Sequence, residues 1–151
     1  MNPKMIKIQN DVQILHYDQV HDFFADKTMA LNVTTNQNES LEINFDIITN
    51  FIDGMITQPN LYGLLTSPNG RQWQLRYIGQ RKAKGIKQRM YQHLVKKHKN
   101  TGAQLEKVKK ELNDGKYIGV KLASVTPDEL RHYYEEKLLQ DIPALDWNVQ
   151  R

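Results

Sequence analysis

Cysteine is absent from this chain of 151 residues. Its absence excludes disulfide bonds, a thiol nucleophile and every zinc site that needs thiolate ligands. The sequence also lacks any run of about eighteen apolar residues, and its first residues lack the apolar core of a signal peptide. We therefore expect a cytoplasmic protein without a membrane span or a membrane partner.

Acidic residues are missing from the middle of the chain, between Ile56 and Leu105. Residues 1–55 carry 3 basic and 8 acidic side chains, residues 56–110 carry 13 and 1, and residues 111–151 carry 5 and 8. A cationic block of this kind favours a polyanionic partner. The alternative is a solvated face whose charge is balanced in space by the two acidic ends.

The chain shows no internal repeat and no linker, so its length predicts one domain, and the patterning of its first part is weak. We expect a short strand within residues 5–15, a helix over Tyr17–Ala25 and a second helix over Leu41–Ile56. The second helix is predicted because apolar residues lie near one side of it: Leu41, Phe45, Ile48, Ile52 and Met55.

Stronger signals begin at Leu61. Strands over residues 61–66 and 72–79 flank the turn sequence Ser67-Pro68-Asn69-Gly70 and predict a β-hairpin. A helix is then predicted from Gly85 to about His98, with Ile86, Met90 and Leu94 facing the sheet.

A mostly charged helix over residues 103–113 and a third strand over residues 117–125 come next. The last helix is predicted to start with a capping box from Thr126 to Glu129, to run to about Gln140 and to be stopped by Pro143. The order of elements from Leu61 is therefore β-β-α-α-β-α.

Five residues in these elements have catalytic potential: Tyr62, Tyr77, Arg89, His93 and Glu135. Arg89 and His93 are four positions apart, so on a helix they lie one above the other and can address the same phosphate. Glu135 shares the inward side of its helix with Leu138 and Leu139. A carboxylate there needs a metal ion or a cationic partner, because an unpaired buried charge is costly.

At these positions the sequence resembles the GIY-YIG nucleases. Tyr77-Ile78-Gly79 matches the second half of the family motif, and Asn60-Leu61-Tyr62 keeps the tyrosine of the first half. The stretch from Ile86 to His93 is similar to the family helix that bears an essential arginine and, one turn later, a histidine. Glu135 is similar to the metal-binding glutamate of the family, and the residues after it that match are Leu138, Leu139, Pro143 and Asn148.

The resemblance covers residues 60–149 and implies an α/β (α+β) fold, in which helices flank a small three-stranded antiparallel sheet. Residues 60–151 would form the nuclease domain, and residues 1–59 an N-terminal extension for dimerisation or DNA recognition. One divalent ion per active site is implied, Mg²⁺ or Mn²⁺, held by Glu135.

The resemblance also implies a role for each site residue. Tyr62 would be the general base, and its pKa would have to be lowered by neighbouring cations. Arg89 would stabilise the transferred phosphate, while Tyr77 and His93 would orient the reacting groups. Asn148 would brace the site. Arg76, or Arg71, would replace a lysine that some restriction members carry.

The implied substrate is double-stranded DNA, bound by a group of basic residues: Arg76, Arg81, Lys82, Lys84 and Lys87. The chain lacks the long appendages of homing and repair members, so it is most similar to the small restriction endonucleases, and a homodimer or transient dimer is implied. Three alternatives stay open: a structure-specific or nonspecific nuclease, a non-catalytic DNA-binding module on the same scaffold, and a protein-interaction domain.

Overall fold

The computed structural model describes residues 5–9, 17–96, 103–142 and 145–148, and for residues 5–9 it describes the backbone alone. The strands, numbered along the chain, are β1 Met5–Gln9, β2 Leu31–Asn32, β3 Thr34–Gln37, β4 Ser40–Ile43, β5 Leu61–Ser67, β6 Gln74–Gln80 and β7 Tyr117–Thr126. The helices are α1 Tyr17–Ala25, α2 Phe45–Asp53, α3 Ala83–Leu94, α4 Leu105–Asn113 and α5 Leu130–Asp141, and a 3-10 turn covers Asp146–Asn148.

Strand β7 is the centre of the main sheet. It pairs antiparallel with β5 on one side. On its other side it pairs with β1, in parallel, and with the short antiparallel strand β2. Strand β6 pairs with β5 and forms the far edge, while β3 and β4 make a separate hairpin. The turn of the β5–β6 hairpin places Gly70 at a φ of +76°, a conformation that glycine adopts without steric cost.

Side chains of the central strands alternate between two apolar layers, as the period of a strand requires. On one face Tyr62, Leu64 and Val120 pack with buried residues of α2, α3 and α4. On the other face Leu61 and Ala123 pack with α1 and α5. Because β5 and β7 are buried on both faces, most of their residues are apolar and the strict alternation of a half-exposed strand is absent, although β7 also carries Lys121 and Ser124.

A buried lysine on β7 ties α1 to the sheet. Lys121 is 1% exposed, and its ammonium group donates to the carbonyl oxygens of Phe23 and Asp26, both at 2.5 Å. These carbonyls belong to the last turn of α1 and the residue after it, where a helix has unpaired acceptors and a partial negative charge. Burial lowers the pKa of Lys121 to about 8.

The fold is a mixed α and β structure, as predicted, but the expected three-stranded antiparallel sheet is wrong. The main sheet has five strands, one of them parallel, because β1 and β2 add to β7. The described residues before the predicted boundary at residue 59 also pack with those after it. Buried residues of α1 and α2 complete the two cores to which β5 contributes.

The helix predicted over Leu41–Ile56 begins later, at Phe45. Asn38 and Glu39 have positive φ angles and form the two-residue turn between β3 and β4, so Ser40–Ile43 is a strand. Asn44 then caps α2 by accepting a hydrogen bond from the amide of Asp46 at 3.1 Å.

The ends of two later helices also differ from the prediction. Helix α3 covers Ala83–Leu94, so it begins two residues before the predicted Gly85 and ends before His98, which lies outside the described residues. Helix α5 begins at Leu130, so its N-cap residue is Glu129 rather than the predicted Thr126, and Glu129 makes no side-chain capping bond. Pro143, the predicted stop, lies outside the described residues. Within the described part of the chain, the helices are too short or too polar to cross a membrane.

Candidate active site

The hairpin of β5 and β6 brings the two halves of the tyrosine motif together. In its register Tyr62 lies opposite Gly79, and Leu64 lies opposite Tyr77. A Cβ atom added to Gly79 would lie 2.4 Å from Cζ and Oη of Tyr62. The ring of Tyr62 therefore crosses the strand above Gly79, where any side chain would collide with it.

The Tyr62 hydroxyl meets a histidine from α3. Its Oη atom is 2.9 Å from Nε2 of His93, and both side chains are fully buried. The ring of Tyr77 stacks at a tilt against both of them, with centroids 6.2 Å from Tyr62 and 5.2 Å from His93. Residues from β5, β6 and α3 thus form one aromatic cluster.

Arg89 is one turn before His93 on α3 and belongs to the same cluster. It is 6% exposed, and its Nη1 atom donates to Oε1 of Gln92 at 3.0 Å. Its positive charge favours the ionised form of Tyr62 and disfavours the protonated form of His93. The four-residue spacing in the sequence therefore predicted their proximity correctly.

Burial dominates the electrostatics of the cluster. It lowers the pKa of His93 to about 3, and the charges of Arg89 and Arg81 act in the same direction. Burial also raises the pKa of Tyr62 above its ordinary value, helped by Tyr77 and opposed by Arg89 and Arg81. The two arginines act in the expected direction, but the expected net lowering of the Tyr62 pKa is wrong for this structure, because desolvation outweighs them.

Glu135 lies on α5, whose buried side chains pack on the face of the sheet opposite to Tyr62. It is half-buried. Arg131, one turn earlier on the same side of α5, donates from Nε to Oε1 of Gln80 at 2.8 Å. That side of the helix therefore runs along the edge strand β6, which carries Tyr77 on its other face.

Asn148 fastens the same edge strand. Its Oδ1 atom accepts from the amide of Ile78 at 2.8 Å, and its Nδ2 atom donates to the carbonyl of Ile78 at 3.1 Å. The side chain thus pairs with β6 as a neighbouring strand would. Ile78 lies between Tyr77 and Gly79, so Asn148 contacts β6 at the tyrosine motif, as a bracing residue would.

The basic residues predicted to contact DNA differ in their surroundings. Arg76 is engaged in intramolecular contacts. Its Nε and Nη2 atoms donate to Asp146 at 2.8 and 2.7 Å, and its guanidinium stacks on Trp147. Lys87 pairs with Asp53 at 2.9 Å. Three others are exposed next to the start of α3: Arg81, Lys82 and Lys84. Arg71, the other candidate for the family lysine, is exposed in the hairpin turn.

Sequence reasoning missed two contacts that shape the cluster. The main-chain amide of Gln104, at the start of α4, donates to Nδ1 of His93 at 2.9 Å. The Asn60 amide group donates to the carbonyl of Val125 at 2.8 Å and accepts from its amide at 2.9 Å, so it joins the start of β5 to the end of β7. A main-chain donor leaves no signal in the sequence, whereas the asparagine two residues before Tyr62 is visible in it.

In comparisons with known proteins, no family model, curated protein or solved structure matches this chain.

Proposed function

We propose that this protein is a metal-dependent endodeoxyribonuclease of the GIY-YIG type. The observation that supports it is the cluster of Tyr62, Tyr77, Arg89 and His93, which residues far apart in the sequence build on one face of the sheet. An arginine, two phenols and a neutral imidazole form a set able to bind a phosphate and to orient a water molecule.

The reaction would join a water oxygen to phosphorus and break the bond from phosphorus to the leaving deoxyribose oxygen, which would take a proton from solvent. Arg89 would pair with the phosphate oxygens as charge builds on them, a role suited to its planar fork. Tyr62 Oη would receive a proton of the attacking water after the phenol has lost its own. Tyr77 and His93 would hold Tyr62 and the water in line.

Glu135 is the residue that would hold the divalent ion. Mg²⁺ needs only one or two carboxylates, because water and phosphate oxygens fill its other positions, so a single half-buried carboxylate would be enough. Since α5 packs on the face of the sheet opposite to Tyr62, the phosphate would have to reach Glu135 around the edge strand β6. The described residues offer no group of three His, Asp or Glu side chains that could enclose a metal. When bound, the ion would supply Lewis acidity that lowers the pKa of its water and offsets phosphate charge.

Double-stranded DNA is the proposed substrate, met by Arg81, whose charge acts on Tyr62 and His93, and by the exposed Lys82 and Lys84 at the start of α3. Within this class we propose a sequence-specific type II restriction endonuclease. Cutting both strands takes two active sites, so a homodimer or a transient dimer on DNA belongs to the proposal.

The burial of the cluster favours a second function, a DNA-binding module on the same scaffold. Tyr62 is 1% exposed, Arg89 is 6% exposed, and His93 is fully buried, whereas catalytic groups have to touch the phosphate. In that case the basic surface would bind DNA without cutting it. A nuclease would have to expose these groups when DNA binds.

Incubation with plasmid and long linear DNA, with and without Mg²⁺, distinguishes the two functions. Tyr62→Phe removes only the hydroxyl, and Tyr134→Phe is its matched control, because Tyr134 is another buried tyrosine, on the opposite face of the sheet. Glu135→Ala has Glu136→Ala, its exposed neighbour, as control. We expect discrete metal-dependent fragments from the wild type and from both controls.

Tyr62→Phe, Glu135→Ala and Arg89→Lys should each lower kcat by about 10²-fold or more. Smears, or cutting only at flaps and junctions, would replace the restriction enzyme by a nonspecific or structure-specific nuclease. DNA binding without cleavage by the wild type on any substrate would leave the binding module.

A further inference from the structure

We propose that the main-chain amide of Gln104 is a positioning group, which fixes His93 as its Nε2–H tautomer and so makes His93 a hydrogen-bond donor to Tyr62. The tautomer itself follows from contacts within the protein. Its consequence for catalysis rests on the proposed nuclease function.

The argument starts at Nδ1 of His93. A backbone amide can only donate, and the amide of Gln104 lies 2.9 Å from this atom, so Nδ1 carries a lone pair and no proton. A neutral imidazole has one N–H, which is then on Nε2. A doubly protonated ring would turn two N–H groups towards each other at the Gln104 contact.

The proton on Nε2 decides the direction of the next hydrogen bond. Tyr62 Oη is 2.9 Å from Nε2, so the histidine donates and the phenol oxygen accepts. The hydroxyl hydrogen of Tyr62 is then free to turn away from His93. His93 also cannot take a proton from Tyr62, because its only lone pair in the ring plane is occupied by Gln104.

This direction defines what His93 does in the proposed reaction. A histidine that accepted the phenol proton would activate Tyr62 as a relay base. A histidine that donates instead stabilises the phenolate once another acceptor has removed the proton. The structure assigns the second role to His93. It also makes the position of α4 part of the site, because the first turn of α4 follows Gln104 directly.

The test is the nitrogen NMR spectrum of the His93 ring in the full-length wild-type protein, assigned by comparison with His93→Gln. We expect Nδ1 to resonate as an unprotonated nitrogen and Nε2 as a protonated one, with a coupling across the hydrogen bond from the Gln104 amide to Nδ1. A proton found on Nδ1 would overturn the inference. This measurement needs no cleavage activity, so it stands apart from the nuclease proposal.

Gln104→Pro removes the amide hydrogen, and Gln104→Ala keeps it while removing the side chain. We expect the coupling to survive in the alanine variant and to vanish in the proline variant, together with a mixture of His93 tautomers. In a DNA cleavage assay, the kcat of the proline variant should be about tenfold to a hundredfold lower, with little change in KM, as for other groups that orient a histidine. An unchanged tautomer and an unchanged kcat in a folded Gln104→Pro protein would refute the positioning role.

Discussion

Gly79 determines where the Tyr62 ring can lie. A methyl group at this position would be 2.4 Å from the phenol, whose hydroxyl is held by His93. We predict that Gly79→Ala displaces Tyr62, lowers the free energy of unfolding by about 1–3 kcal/mol and abolishes cleavage. Chemical denaturation and a DNA cleavage assay would measure the two effects.

Gly85→Ala is the matched control, because no atom lies within 4 Å of the added Cβ. It lies in α3, where alanine replaces glycine with a gain of about 1 kcal/mol. Equal stability and equal activity of the two variants would contradict the close approach of Tyr62 to Gly79.

His93 should link stability to pH. Its pKa is about 3 in the folded protein and 6.5 when unperturbed, so the unfolded chain binds the extra proton between these values. The stabilisation is complete above about pH 6.5 and decreases as the pH falls towards 3, by about 1.4 kcal/mol per pH unit within the window.

Urea denaturation at about pH 7 and about pH 5 would measure this loss. The loss of stability should be smaller in His93→Gln, because this variant lacks the buried imidazole. The other histidines and the carboxylates are common to both proteins, so their contributions cancel in the comparison. The same pH dependence in both proteins would show that His93 is not buried in its neutral form.

The residues of the cluster were predictable from the sequence, but their electrostatics were not. The spacing of Arg89 and His93 and the order of the tyrosine motif identified the residues that meet. The direction of the Tyr62 pKa shift was predicted wrongly, because it depends on how much water the fold removes. The sequence shows the cations near a phenol, but it does not show how deeply the phenol is buried.

At the scale of elements, the 3-10 turn at Asp146–Asn148 stabilises the edge strand β6. We predict that Asn148→Asp lowers stability by about 1–3 kcal/mol, because a carboxylate oxygen replaces the amide that donates to the carbonyl of Ile78. Hydrogen exchange of the Ile78 amide should become faster. Its control is Asn36→Asp, an exposed position on β3, where we expect a change within about 0.5 kcal/mol. Unchanged exchange at Ile78 would exclude the bracing role.

The elements best predicted were those with strong local signals. Helix α1 has the predicted bounds, and β5, β6 and β7 lie within one or two residues of expectation at each end. The wrong predictions concern segments where a turn or a distant strand partner outweighs the local apolar pattern. The apolar side of residues 41–56 suggested one helix, but the turn at Asn38 and Glu39 returns the chain into a hairpin. Strands β1 and β2 add to the sheet through distant partners, which single-sequence periodicity cannot show.

In the molecule as a whole, buried residues of α1 and α2 belong to the same cores as the tyrosine motif. We predict that a fragment of residues 60–151 does not unfold cooperatively, because it lacks the buried residues of α1 and α2 and two partners of β7. A fragment of residues 17–151, which lacks only β1 and its connection, should keep a cooperative transition at a lower temperature. Circular dichroism during heating would compare them with the full chain. A cooperative transition in the shorter fragment would show that residues 60–151 fold on their own.

Basic side chains occur in many parts of the molecule, and the proposed DNA-binding surface includes only those at the start of α3. We predict that Lys82→Ala with Lys84→Ala weakens DNA binding and reduces the slope of log K against log salt by about 0.9 for each lost phosphate contact. Lys109→Ala with Lys110→Ala, two exposed positions on α4, is the control with equal net charge. An equal loss in both would mean that DNA responds to net charge rather than to this surface.

The central position of β7 also affects how the protein is made. The β3–β4 and β5–β6 hairpins join strands adjacent in sequence, whereas β7 pairs with β1 from the opposite end of the described chain. Local hairpins form readily, and distant pairs must first overcome the entropy of a long loop. Among the described residues, β1 and β2 pair only with β7 in the main sheet, so they lack these partners while Tyr117–Thr126 is still to be synthesised. A nascent chain arrested at that stage would expose apolar strand faces, the condition under which growing chains need a chaperone most.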